Sequence, residues 1–180
     1  MFNIDYELNE KIHATIINPY LSWDELIANC DLIQKHNIKN ISTSLNFLSH
    51  IKNELSNHNV NINTFISYPF ADVPINFINE FVCYAKDAGA NGIEYTPNFL
   101  NLSKNNLNTF ANEIEIMNAS ELPVTIIINK KKLNKKLFEK ALEISIELGI
   151  TNFQFGDGFG TPISNVDIIE ILNFLGNQNS

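Results

Sequence analysis

Short strand-like segments alternate with longer helix-like ones along all 180 residues of this chain, at a period of roughly 20 to 35 residues. This alternation constrains the fold more than any other feature. A strand, a helix and a further strand in succession form the unit from which parallel sheets are built. The strand candidates are Ile12–Ile17, Asn40–Ser44, Asn61–Ser67, Gly92–Thr96, Val124–Ile128 and Asn152–Phe155. Several are rich in β-branched or aromatic residues. Val124–Ile128 is almost continuously apolar, as suits a parallel strand covered on both faces. Ser22-Trp23-Asp24-Glu25 reads as a capping box that opens a helix with Leu26, Ile27, Cys30 and Ile33 on its inner face. Asn46 is placed to cap a second helix, running to Leu55. Apolar stripes at helical spacing follow at Ile75/Ile78/Val82/Ala85, Leu107/Phe110/Ile114/Met117 and Leu137/Ala141/Ile144/Leu148. The last, Val166/Ile169/Leu172/Phe174, follows a Ser164 cap. Core packing is the expected role of all these stripes. Composition and period leave open whether the sheet is doubly wound or closed as a barrel.

The chain is long enough for one domain, taken as 1–180. A net charge of −8 argues against a nucleic-acid partner, which would normally meet a basic face. Cys30 and Cys83 lie in apolar helical patterns and read as buried free thiols of a reducing compartment. The N-terminus lacks the basic start and apolar run of a secretion signal, and no run approaches the length of a membrane span. The cytoplasm is therefore the expected location, with no membrane partner. His13, His36, His50 and His58 lack metal-ligand spacing, so neither a metal nor another cofactor is expected. Tyr20 and Trp23, near the first helix cap, read as packing residues.

Glu147–Thr161, reading ELGITNFQFGDGFGT, ends a helix at Gly149 and runs through a strand into a glycine-rich turn. The stretch resembles the sixth strand of the deoxyribose-phosphate aldolase family, where a pattern close to G-A-D-F-[IV]-K-T-S-T-G-F-G-T carries the Schiff-base lysine. Without a gap, Gly149, Gly158, Phe159, Gly160 and Thr161 match, and Gln154 takes the lysine position. Ile12-His13-Ala14-Thr15-Ile16-Ile17-Asn18-Pro19 is similar to the family's I-D-H-T-L-L-K-P, and Tyr68-Pro69-Phe70 to its G-F-P-L turn, with Ser67 replacing the first glycine. Ala85–Glu94 resembles A-V-x-x-G-A-D-E-[IV]-D, which puts Glu94 at the position of an aspartate in the family's acid–base network. The resemblance implies a parallel (β/α) TIM-type barrel, shortened to about six βα units. A full eight-unit barrel typically needs about 250 residues.

The departures from the family fall where chemistry should be. Asn18 stands for the first-strand lysine, Ser44 for the strand-two asparagine and Asn129 for the strand-five glutamate. An amide at Gln154 cannot form an imine. The sequence gives no seventh strand, which in the family carries a second lysine and a phosphate loop. The resemblance therefore implies a homologue without Schiff-base chemistry that binds a ligand or a partner. The rival expectation is an active lyase or isomerase acting on a small phosphorylated sugar, with Glu94 as acid–base. Functional side chains of such barrels come from the C-terminal strand ends, which groups Asn18, Ser44, Ser67, Glu94, Asn129, Gln154 and Asp157 at one mouth. A small phosphorylated or polar ligand there would meet Lys130 and its neighbours Lys131 and Lys132, unless that run is only a solvated loop. Gly156–Gly160 is either an anion cradle or a tight turn.

Six units in place of eight would leave strand edges unpaired and uncover an interior expected to be apolar, supplied by Ile16, Ile66, Ile126 and Phe153. Tighter closure, cover by Met1–Lys11 or self-association would remedy this, and a homo-oligomer, most simply a two-fold dimer, is the expectation.

Overall fold

The computed structural model describes residues 4–104, 106–160 and 162–178. Thr161, the last residue of the glycine-rich match, and residues 1–3 of the N-terminal segment lie outside the described residues. Six strands lie in one sheet in chain order: β1 (His13–Ile16), β2 (Asn40–Ser44), β3 (Asn61–Ile66), β4 (Gly92–Tyr95), β5 (Val124–Ile127) and β6 (Asn152–Gln154). The helices are α1 (Ile4–Lys11), α2 (Trp23–Lys35), α3 (Leu45–Glu54), α4 (Ile78–Asp87), α5 (Leu100–Ser103), α6 (Leu107–Asn118), α7 (Lys135–Glu147) and α8 (Asn165–Gln178). This is the βα order of a TIM-type barrel with six units. Each expected strand is present within two residues of its expected ends. The four-residue α5 and the weakly patterned α1 escaped the periodicity.

Two compact units make up the chain: Met1–Ile66 with Val73–Glu94 and Ser120–Pro123, and Ser67–Asp72 with Tyr95–Ala119 and Val124–Ser180. In the first, β1, β2 and β3 pair in parallel, with Thr15 opposite Ser42 and Ser42 opposite Asn63. Successive strand residues face opposite sides. One side carries Ala14, Ile16, Ile41 and Ile62, which pack with Leu26, Cys30 and Ile33 of α2 and Leu48 and Ile51 of α3. Ile16 thus belongs to the helix-facing core and does not supply an apolar barrel interior. Thr43 and Thr64 share its side, and each satisfies its buried hydroxyl on the neighbouring strand: Thr43 donates to the Ile16 carbonyl and Thr64 to the Thr43 carbonyl. The other side of these strands is mostly polar, with His13, Thr15, Asn40, Ser42, Asn61 and Asn63, and ends in the buried Phe65 opposite Ser44.

The Ser22 capping box is present in full: Ser22 Oγ accepts from the Glu25 amide, and the Glu25 carboxylate accepts from the Ser22 amide. Such a cap contributes about 1 kcal/mol. The cap of α3 is Ser44, two residues before the expected Asn46, because β2 runs straight into the helix. Cys30 is buried, but Cys83 is exposed. Ile78, Val82 and Ala85 make up the buried face of α4, and Cys83 falls beside it. Tyr20 is 90% exposed, since it sits in the turn before α2 and has no helix face to pack into. Trp23 is half-exposed and meets His50 edge-on at 5.0 Å.

In the second unit β5 and β6 pair in parallel, with Ile127 opposite Gln154. Ile126 and Ile127 point to opposite sides and are both buried, as expected of a strand covered on both faces. Phe153 stacks on Phe155, which packs against Phe138 of α7, so Phe153 too is helix-facing. The stripe expected to bury α8 does not. Val166, Ile169 and Leu172 are 65%, 58% and 61% exposed, whereas Asp167 and Ile171 are buried. Asp167 is drawn inward by Ser164, Lys130 and Lys131, and it turns the Asp167/Ile171 side of the helix with it.

Candidate functional site

In the first unit the polar side of β1–β4 gathers around one carboxylate. Glu94 is 2% exposed, and it lies two residues beyond Gly92 on the same side of β4. A Cβ at Gly92 would come within 2.7 Å of Asn63 Oδ1, so the glycine leaves room for the amide whose Nδ2 donates to Glu94 at 3.3 Å. Ser42 donates its hydroxyl to Glu94 Oε1 in a short contact. A serine has one hydroxyl proton. With that proton on Glu94, the 2.6 Å contact between Ser42 Oγ and His13 Nε2 requires the imidazole N–H to donate. His13 Nε2 also lies 3.4 Å from Glu94 Oε1, and its side chain is 42% exposed. His13, Ser42 and Glu94 therefore form a continuous hydrogen-bonded path from a half-exposed imidazole to a buried carboxylate. Such a path can pass a proton.

Of the other residues expected in this unit, Asn18 is exposed and accepts from the Tyr20 amide at 3.0 Å, which closes a turn. Ser44 is half-buried at the cap of α3 without a capping hydrogen bond. Neither bonds to Glu94. His13, Ser42 and Asn63 match no metal-ligand or family motif in the sequence, and the fold brings them to Glu94. The sequence carries the signal: polar residues occupy every second position of β1 and β2, and Asn61 and Asn63 continue the pattern in β3 as far as Phe65.

The second unit holds its carboxylates differently. Asp157 accepts from Asn129 Nδ2 at 2.7 Å, Lys132 Nζ at 2.6 Å and the Phe159 amide at 3.0 Å. Burial works against its charged form. Lys132, the Phe159 amide and Asn129 outweigh that and hold the carboxyl below its usual range. Lys130 pairs with Asp167 at 3.0 Å and Glu170 at 2.7 Å, and Lys131 pairs with Asp167 at 2.6 Å. Lys131, then Ser164 and Lys130, hold Asp167 far below the ordinary aspartate range. Each lysine of the run is thus matched by a carboxylate. Gln154 donates to the Gly156 carbonyl at 2.7 Å and braces the start of the turn. The turn continues to Tyr68, whose hydroxyl donates to the Asp157 carbonyl at 2.7 Å. Ser67 is buried with φ +62°, the left-handed region that glycine occupies most easily, which accounts for a glycine at that position in the resembling turn.

Asn129, Lys132 and Asp157 also wall a cavity of about 300 Å³, together with Phe70, Thr96 and Phe99. Its Thr96–Phe99 wall is anchored by Glu113, which is 4% exposed and accepts from Tyr95 Oη at 3.1 Å, the Asn98 amide at 2.9 Å and Asn101 Nδ2 at 3.0 Å. Burial raises the Glu113 carboxyl above its usual range despite these donors. Among the described residues no cluster of three His, Cys, Asp or Glu side chains could hold a metal ion. Among the described residues no helix is long and apolar enough to cross a membrane.

Over 172 residues the chain is 20% identical to the deoxyribose-phosphate aldolase of Mycoplasma capricolum subsp. capricolum, covering 94% of this chain and 78% of that protein. The tetrameric deoxyribose-phosphate aldolase of Aeropyrum pernix superposes with a TM-score of 0.81 at 14% identity, over 96% of this chain and 74% of that one. The aldolase QR15 does so with a TM-score of 0.81 at 16% identity, over 96% and 76%. The chain is deoxyribose-phosphate-aldolase-like. No protein-family model matches it. In this aldolase-like chain the resemblance assigns the amine position to Gln154, whose side-chain amide is engaged with Gly156. Lys130, Lys131 and Lys132 pair with Asp157, Asp167 and Glu170.

Proposed function

We propose that this aldolase-like chain does not perform Schiff-base chemistry and instead binds a small polar ligand. The observation that carries this reading is Gln154. It is an amide at the position the resemblance gives to the reactive lysine, and it braces a turn. The lysines next along the chain offer no substitute. Nucleophilic attack needs a free amine, and each of these amines is engaged by a carboxylate. Incubation with deoxyribose 5-phosphate and borohydride, followed by intact-mass measurement, tests the reading. No adduct is expected. A mass increase of one reduced imine per chain, lost on mutating a single lysine, overturns it.

A second reading, acid–base catalysis of a lyase or isomerase type on a small phosphorylated sugar, draws support from the His13–Ser42–Glu94 path. In it Glu94 exchanges a proton with substrate, and His13 returns that proton to solvent. Solvent deuterium incorporation next to the carbonyl of an aldose phosphate, abolished in Glu94→Gln and reduced in His13→Asn, would establish it. No incorporation would leave ligand binding as the function.

We also read 1–180 as one domain. The chain passes between the two compact units five times, and β4 runs from one into the other. Homo-oligomerisation is supported by the exposed apolar side chains Val166, Ile169 and Leu172 on α8 and by the tetrameric Aeropyrum pernix neighbour. Light scattering at micromolar concentration tests this; a strict monomer overturns it.

A further inference from the structure

The chain carries 12 lysines and a net charge of −8, and six of those lysines stand between Lys130 and Lys140. Lys130, Lys131 and Lys132 are matched by Asp157, Asp167 and Glu170. Lys135 and Lys136 open α7, whose first turn holds no acidic residue. A cation there opposes the helix dipole, which favours carboxylates at an N-terminus. Lys136 and Lys140 also stand four residues apart, a spacing at which like charges weaken a helix. Lys140 pairs with Glu143 at 3.2 Å, and Lys135 more loosely with Glu139 at 3.7 Å. Lys136 has no carboxylate partner among the described residues. Its charge sits where it weakens its own helix, and an anion from outside the chain would relieve that.

Lys136 lines a groove of about 880 Å³ between α7 and the α5–α6 segment, within the second unit. The groove has leucine walls. Leu102 is 3% exposed, and Leu107 and Leu137 are half-buried. Leu107 and Leu137 head apolar stripes whose later members, Phe110, Ile114 and Met117 on α6 and Ala141 and Ile144 on α7, are buried. The two leading leucines line the groove instead. The α7 residues along it, Asn134 to Glu143, span about 14 Å, between two and three turns of helix. That length exceeds what a phosphate or a small sugar fills. It suits apolar side chains spaced three and four apart on a short helix.

We propose that this groove docks an acidic amphipathic helix of a partner protein, with leucine-type side chains against Leu102, Leu107 and Leu137 and a carboxylate on Lys136. The surface stands apart from the polar side of β1–β4 and is independent of the ligand-binding reading above. The net negative charge of the chain repels an acidic partner elsewhere, so the lysines of 130–140 also direct its approach to this face.

The experiment titrates the full chain into two dye-labelled amphipathic peptides, followed by fluorescence anisotropy. Both have leucine and alanine on one face; one has glutamate on the other face and its counterpart has lysine. The glutamate peptide is expected to bind saturably at micromolar concentration, and the lysine peptide at least tenfold more weakly. Added salt should weaken the glutamate peptide. Lys136→Glu and Leu107→Ser should each weaken it at least tenfold. Lys136→Glu should at the same time raise the melting temperature by about 1–3 °C, because a carboxylate suits the start of α7. Loss of binding in a more stable protein cannot come from unfolding. Equal binding of the two peptides overturns the proposal, as does an affinity that Lys136→Glu leaves unchanged. So does the absence of binding at millimolar concentration. Vesicles of anionic phospholipid that bind through Lys136 as tightly as the glutamate peptide overturn it too, by assigning the surface to a membrane.

Discussion

Glu94 in the first unit and Asp157 in the second are both nearly inaccessible carboxylates, 2% and 7% exposed, yet their surroundings differ in kind. Asp157 faces a lysine ammonium, a backbone amide and a side-chain amide, and it carries a charge the fold needs. Glu94 faces a hydroxyl, a side-chain amide and an imidazole, with no permanent cation among its hydrogen-bond partners. A carboxylate locked by lysine is a staple for its loop. One linked through a hydroxyl to a half-exposed imidazole has the parts for moving a proton. Burial alone does not separate the two uses; the partners do.

The largest effect that probes this contrast is expected from Glu94→Ala. It strands the Ser42 hydroxyl and the Asn63 amide inside the fold and should cost about 2–4 kcal/mol in urea unfolding. Glu94→Gln, which keeps an acceptor, should recover most of that loss. If Glu94→Ala unfolds at the wild-type urea concentration, the carboxylate is not structurally held and the comparison fails.

Asp157→Asn should cost less, about 1–2 kcal/mol, because Lys132 is half-exposed and its attraction is screened by solvent. Its signature is the pH dependence. The folded pKa of Asp157 is lowered. Its stabilisation is therefore complete above the unfolded value of about 4 and is lost as pH falls through the lower folded value. The urea midpoint of the wild type should drop on acidification by more than that of Asp157→Asn. Parallel pH profiles would show that Asp157 is not locked in its charged form.

Glu113 sharpens the comparison from the other side. It is a buried carboxyl in the second unit, with neutral donors as its hydrogen-bond partners, and its folded pKa is raised. Here stability is greatest below the unfolded value of about 4.3 and declines as pH rises through the higher folded value. Glu113→Gln removes that decline, so the wild type should lose stability relative to the variant between acid and neutral pH. A wild type that instead gains on the variant over this interval would mean that Asn98, Asn101 and Tyr95 favour the charged form more than burial opposes it.

The smallest expected effect is chemical. Cys30 is buried and its thiol is pushed up to about 11, first by burial and then by Glu54 and Asp31, whereas Cys83 is exposed. A thiol reagent at neutral pH should label one cysteine in the native protein and both after denaturation. Rapid native labelling of Cys30 would show that the packing of α2 on β1 and β2 opens readily.

The alternation of elements, the six strands and the capping box at Ser22 are legible in the sequence, because they depend on residues close along the chain. The sequence also singled out Glu94, Asn129, Gln154 and Asp157 as positions where an aldolase-like chain departs from or keeps family chemistry. Tertiary structure decided which side of each strand meets the helices. Alternation gives two sides without saying which is buried, so Ile16 and Phe153 were placed on the wrong one, and the stripe on α8 was turned outward by the pull of Lys130 and Lys131 on Asp167. It also decided the partners of Glu94. Ser42 lies 52 residues away in sequence and Asn63 lies 31 away, and only parallel register brings them together. The lysine run read as a basic patch for the same reason. Asp157 lies 25 residues beyond Lys132 and Asp167 lies 37 beyond Lys130, and the charge of a loop is fixed by what folds back against it.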